Sequence, residues 1–335
     1  MELIEGTIIH GFEPIGYKIL GYFIYFQLKI EKNNGLFTHE RHRFDLSCGP
    51  GSLDESPTPA QPMSAWCVLT HPMHHLSQAI FAKAALEGVK FLAEPEACVE
   101  LRERHAAVLA AFPEALVALN NEGLASVNRD DQHVVQLLIG EADEPLSLPS
   151  ARLIRVVDGQ RNGIANSTGI SLCLHDVLPP ARDSRGEQMF RVWMQASRSQ
   201  TTPDLTEQHH YWCDLNDVSA IVATILRHPC DDGTYHVSGR RGWTTAETWR
   251  EFDALVQRTI AGQTGEFGTE HLAAKGVPVV EAVAIDEHET QRARPDLGPL
   301  HAMLTEVNGE GWRPKTSLRQ SLMMVIAQLS ELQST

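Results

Sequence analysis

Apolar residues fall in two rhythms along the first half of the chain. Short, nearly unbroken runs occur at Thr7–His10, Phe26–Ile30, Arg43–Leu46, Trp66–Thr70 ("WCVLT"), Val89–Ala93 ("VKFLA") and Ala151–Val157 ("ARLIRVV"). Runs of this length, rich in β-branched and aromatic residues, predict strands buried on both faces. Between them apolar residues recur at helical spacing over Ile15–Phe23, Leu76–Gly88 and Asp130–Ala142 ("DDQHVVQLLIGEA"). Gly88 is a helix-stop signal just ahead of the next strand. Strands alternating with helices predict an α/β fold, a doubly wound parallel sheet covered on both faces. Ser47–Pro62, dense in Gly, Pro and Ser, reads as a long loop.

Beyond residue 160 the pattern thins. Asp214–Pro229 has an Asp cap and helical spacing, and Gly233–Gly239 is a strand between glycines. Thr244 and Glu247 form a capping box ahead of a helix to Ile260. Gly311–Leu329 pairs a Trp-Pro turn with a last amphipathic helix.

Charge and composition narrow the partners. The 335 residues carry 43 acidic and 28 basic side chains, a net charge of −15, which repels phosphate backbones and anionic lipid. A small-molecule substrate is expected, with neither nucleic acid nor membrane as partner. The six cysteines are scattered with no C-x-x-C pair, so reduced thiols in a cytoplasm are expected rather than a disulfide framework. The most apolar stretch, Ile19–Leu28, is flanked by Lys18 and Lys29 and falls short of the roughly 20 residues a membrane span needs. No cleavable signal is expected ahead of it. Histidine is abundant, at 16, but the pairs His74–His75 and His209–His210 are adjacent and no H-E-x-x-H occurs, so no metal site is expected.

The C-terminal phrases "CDLNDVSAIVATIL", "GTYHVSGRRGWTTAETWREF" and "GWRPKTSLRQSL", in that order, resemble the extended short-chain dehydrogenase/reductase superfamily, the NAD-dependent nucleotide-sugar epimerases and dehydratases. "ARLIRVVDGQRNG" is similar to that family's strand ending in R-x-x-N-x-Y-G. The resemblance implies a Rossmann-like nucleotide-binding domain over residues 1–160 and a smaller, interleaved substrate domain over 161–335, with 214–240 returning to the first. It also implies NAD(P) as cofactor and a homodimer.

The family's functional positions are altered here. In "GTIIHGFEPIG" Gly11 and Gly16 are spaced as the outer glycines of G-x-G-x-x-G, with Phe12, Glu13 and Ile15 between them. Glu13 replaces the middle glycine, where the backbone must approach a pyrophosphate. A like-charge contact at about 4 Å costs about 4 kcal/mol at an effective dielectric of about 20. Asp45 matches the family's adenine-side aspartate. The Y-x-x-x-K pair maps onto Asn128 and Gln132, neither of which transfers protons near neutral pH, and no Tyr lies between Tyr25 and Tyr211. Where the family carries its Ser or Thr stand Glu94, Pro95 and Glu96.

These replacements predict a cleft holding His71, Glu94 and Glu96, a set able to supply a general acid and base without a cofactor. The expected function is a non-redox isomerase, lyase, cyclase or hydrolase acting on a small polar or nucleotide-sugar-like metabolite. The alternatives are an NAD(P)-dependent epimerase, dehydratase or reductase, and a catalytically inactive partner subunit. Arg182, Arg185 and Arg191 are candidate contacts to a nucleotide diphosphate, as the resemblance implies.

Overall fold

The computed structural model describes residues 65–120, 127, 133–140, 151–159, 169–269 and 292–331. Its sheet is built from β1 (Ala65–Leu69), β2 (Lys90–Ala93), β3 (Leu116–Ala118), β4 (His133–Ile139), β5 (Arg152–Asp158), β6 (Ile170–Leu174) and β10 (Gly233–Val237). The strand order is β10-β6-β5-β4-β1-β2-β3. Every neighbouring pair is parallel. This is a Rossmann-like, doubly wound α/β sheet, as the alternating pattern predicts. Four two-residue strands, β7 (Val177–Leu178), β8 (His209–His210), β9 (Cys213–Asp214) and β11 (Trp243–Thr244), form the ladders β7-β9 and β8-β11.

Residue alternation along the strands explains the two-sided burial. Cys67, Leu69, Phe91, Val135, Leu137, Ile154, Val156 and Leu172 belong to one core, and Trp66, Val68 and Leu92 to another with Val127. Each such side chain, fully withdrawn from water, contributes roughly 1.5–3 kcal/mol. The same physics corrects one expectation. The span Asp130–Ala142, expected to be helical, contains β4, because Val134, Val135, Leu137 and Leu138 form one apolar run that a sheet buries on both sides. The expected strands and helix before residue 47, and the loop after them, lie outside the described residues.

Helices α1 (His75–Ala85) and α5 (Leu215–Arg227) pack against each other over the first core. Ile80, Phe81 and Ala84 of α1 and Val218, Ile221, Val222 and Ile225 of α5 are buried there. α2 (Pro95–Arg104) and the short α3 (Ala106–Ala111) lead to β3, and α7 (Gly298–Asn308) lies beside β10. Away from the sheet, α4 (Arg185–Arg198) packs on α6 (Thr245–Thr264) through Phe190, Trp193, Trp249 and Phe252. The expected capping box is present: Thr244 accepts from Glu247 N, and the Glu247 carboxylate accepts from Thr244 N at 2.8 Å. α8 (Leu318–Glu331) closes the described chain.

The compact unit holding the sheet spans Thr58–Gln328; of the second unit, 1–57 with 329–335, only Leu329–Glu331 are described. Within the sheet unit, the N-cap of α5 and an aspartate of its first turn hold the stretch from Lys315 to Ser321. Asp214 caps the helix by accepting from Asn216 N at 2.8 Å and also accepts from Ser321 Oγ at 2.6 Å. Asp217 accepts from the backbone N–H groups of Lys315 and Thr316 at 3.1 and 3.0 Å. Replacing Asp217 with Ala leaves both N–H groups without their carboxylate, so a loss of about 1–3 kcal/mol is expected. A lower urea midpoint with an unchanged slope is the confirming observation.

Candidate functional site

In a parallel sheet all carboxyl ends lie on one edge, and ligands bind where the strand order reverses, here between β1 and β4. The turn leaving β1 is Thr70–His74. Thr70 Oγ1 donates to Leu137 O at 3.0 Å, tying the turn to β4, and lies 3.3 Å from His71 Nδ1. The turn contains no glycine, and the first glycine after β1 is Gly88. Pro72 has no N–H to offer. His74 is the N-cap of α1, and its Nδ1 accepts from Leu76 N at 3.3 Å. Burial, with help from His71, lowers the pKa of His74, and burial with help from His74 pushes His75 down to about 4.

These features decide whether a dinucleotide fits. A pyrophosphate at this place needs glycine for close backbone approach and free N–H groups at the helix start. Here a neutral imidazole takes one of those N–H groups, and a proline and two histidines stand in the turn where glycines are needed. The turn does not fit a pyrophosphate. Glu94, at the end of β2, does stand where a ribose-binding carboxylate is expected, about 20 residues beyond the turn.

β1 and β2, which lead into the His71 turn and into Glu94, are neighbouring strands spaced roughly 5 Å apart. His71 and Glu94 are exposed, as is Glu96 in the first turn of α2, and Glu94 sits at that helix's N-cap without a side-chain cap bond. Gly11, Phe12, Glu13, Ile15, Gly16, Asp45, Asn128 and Gln132 lie outside the described residues. Arg182, Arg185 and Arg191 are exposed, Arg191 beside Glu187 at 3.2 Å. Among the described residues no group of His, Cys, Asp and Glu is arranged to hold a metal ion, and no helix is long and apolar enough to cross a membrane.

A second polar cluster, not anticipated from the sequence, gathers at the ends of β5, β6 and β10. Asp176, just past β6, holds a left-handed backbone (φ 49°), which Asp tolerates better than most residues. Arg292 Nη1 donates to its two carboxylate oxygens at 2.8 and 2.7 Å, and Tyr211 N donates to Oδ2 at 2.7 Å. His210 Nδ1 lies 3.6 Å from Oδ1, its ring stacked on Trp212 with centroids 4.4 Å apart. Burial alone would raise the Asp176 pKa, but His210, Arg292 and the Tyr211 N–H overcome it and hold the carboxyl at about 2. Arg292 Nη2 also reaches His175 Nδ1 at 3.2 Å, and His175 Nε2 meets His236 Nδ1 at 3.0 Å. Burial, then His236 and Arg292, push His175 down to about 4 against the opposing pull of Asp176 and Asp158. Gly159, just after β5, makes room for this ring: a Cβ there would lie 2.4 Å from His175 Nε2. The one sequence signal was a His-Asp pair at the close of an apolar run, "ISLCLHD".

No family model and no curated protein sequence matches the chain. Solved structures of similar fold include WbmG of Bordetella bronchiseptica in complex with NAD, at 14% identity over 84% of this chain and 96% of that one, TM-score 0.41. dTDP-glucose 4,6-dehydratase of Bacillus anthracis in complex with NAD is 12% identical over 80% of this chain and 97% of that one, TM-score 0.45. The terminal R domain of the myxalamid PKS-NRPS biosynthetic pathway is 12% identical over 83% of this chain and 94% of that one, TM-score 0.47.

Two outcomes follow from the cluster's electrostatics. Arg292→Met leaves the Asp176 carboxylate buried without its cation, at an expected cost of about 3–5 kcal/mol, and adding Asp176→Asn restores most of it; chemical denaturation of the three proteins checks this. His175 has a folded pKa near 4, below its ordinary 6.5, so its contribution is complete above about pH 6.5 and lost as pH falls toward 4. Asp176, near 2 against 3.8, adds a second loss between those values. Melting temperature is expected to fall in both windows, and His175→Gln to make the first fall shallower, with His75, also held near 4, keeping its own share of it.

Proposed function

We propose that the chain is an atypical enzyme on a Rossmann-like scaffold that works by acid–base chemistry without nicotinamide redox. Its reaction is an isomerisation, elimination, cyclisation or hydrolysis of a small polar metabolite. The observation that carries this reading is the turn after β1: glycine-free, interrupted by Pro72, and closed by His74 onto the N–H of Leu76. Carboxylate and imidazole groups at the ends of adjacent strands supply what such reactions need. Glu94 takes a proton from the substrate as general base, His71 returns one as general acid, and Glu96, two residues on, is a second carboxylate. Their exposure lets an incoming molecule reach them.

One observation favours a second reading, an NAD(P)-dependent epimerase, dehydratase or reductase: Glu94 occupies the place of a ribose-binding acid. The two readings give Glu94 different tasks, and turnover separates them. In protein stripped of nucleotides with charcoal, turnover is expected to be unchanged. Glu94→Gln is expected to lower kcat by roughly 10²- to 10⁴-fold, with no change in melting temperature because the side chain is exposed. Turnover that disappears on stripping and returns with added NAD(P) would establish the second reading instead.

A further inference from the structure

The hydrogen bonds of the His175–His236 pair have a direction, and that direction fixes the outward atom of His236. A guanidinium only donates, so the 3.2 Å contact from Arg292 Nη2 leaves His175 Nδ1 without a hydrogen. His175 is neutral well below pH 7, so its single ring hydrogen sits on Nε2. That N–H donates to His236 Nδ1 at 3.0 Å. Nδ1 of His236 is therefore an acceptor, and its ring hydrogen lies on Nε2, across the ring from the pair. His236 is half-buried near the carboxyl end of β10, and its Nε2 takes no partner among the described residues. Gly159 brings the β5 backbone against the His175 ring, leaving no space for the pair to turn on that side.

We infer that His236 is a ligand-binding residue whose Nε2–H is a fixed, uncharged hydrogen-bond donor for the carbonyl or hydroxyl oxygen of a neutral polar molecule at the carboxyl edge of β5, β6 and β10. The surrounding charge selects against anions. The Asp158 carboxylate, at the end of β5, is near enough to act on His175. Both Nη atoms of Arg292 are committed, one to Asp176 and the other to His175. A neutral imidazole donor aimed at a carbonyl oxygen polarises it without carrying charge, as histidine does in triosephosphate isomerase. Four strand spacings, roughly 19 Å, separate β10 from β1, so this contact point is independent of the roles given to His71 and Glu94.

Long-range proton–nitrogen NMR of the uniformly ¹⁵N-labelled full chain at neutral pH reads the ring hydrogens directly, with His236→Gln identifying the signals. A protonated Nε2 and bare Nδ1 are expected for His236, with the two tautomers mixed in Arg292→Met. Dihydroxyacetone, a carbonyl flanked by two hydroxyls, is then titrated against the wild-type chain, and inorganic phosphate separately. Dihydroxyacetone is expected to shift the His236 Nε2 signal and phosphate to leave it in place. A hydrogen on Nδ1 would overturn the fixed donor. An Nε2 signal indifferent to dihydroxyacetone, or one moved by phosphate, would overturn the ligand class.

Discussion

Parallel hydrogen bonding imposes the constraint on which everything else depends. With β10, β6, β5, β4, β1, β2 and β3 all running the same way, every carboxyl end lies on one edge, and the chain must return across a face after each strand. The apolar faces are consumed by this packing, so the polar residues able to do chemistry collect at the strand ends. Thr70 and His71 leave β1, Glu94 leaves β2, Gly159 follows β5, and His175 and Asp176 leave β6. Such an edge hosts many chemistries, and its strand-end residues decide which.

Two regions of this edge differ in their physical state. At the turn after β1 the helix N-terminus has turned inward on its own cap: His74 satisfies the N–H of Leu76 that an anion would otherwise attract. At the other end Arg292 acts as a hub, neutralising Asp176 with one nitrogen and setting the proton of His175 with the other. One region closes a helix N-terminus with a histidine side chain, while the other pairs a buried carboxylate with a guanidinium.

Local patterns foretold much of this frame. The runs at Trp66–Thr70, Val89–Ala93 and Ala151–Val157 correspond to β1, β2 and β5, and the caps at Asp214 and Thr244 start α5 and α6. Each signal lies within a few residues of the structure it directs, so it is readable without tertiary information. β4 was not, because a doubly buried strand and a buried helix share the same apolar density. The Asp176 cluster was hidden for a different reason: Arg292 lies 116 positions from Asp176, and no local pattern announces such a pair. That Thr70–His74 follows the sheet's switch-point strand has no local signal, because a phosphate loop is recognised by its glycines and this turn has none.

The most direct measurement is a calorimetric titration of the full chain with NADH and with NADPH at modest salt. No binding heat is expected for either up to about one millimolar, a standard free energy weaker than about −4 kcal/mol. Micromolar binding of either nucleotide would contradict the central claim, since the closed, glycine-free turn after β1 would then be compatible with a pyrophosphate.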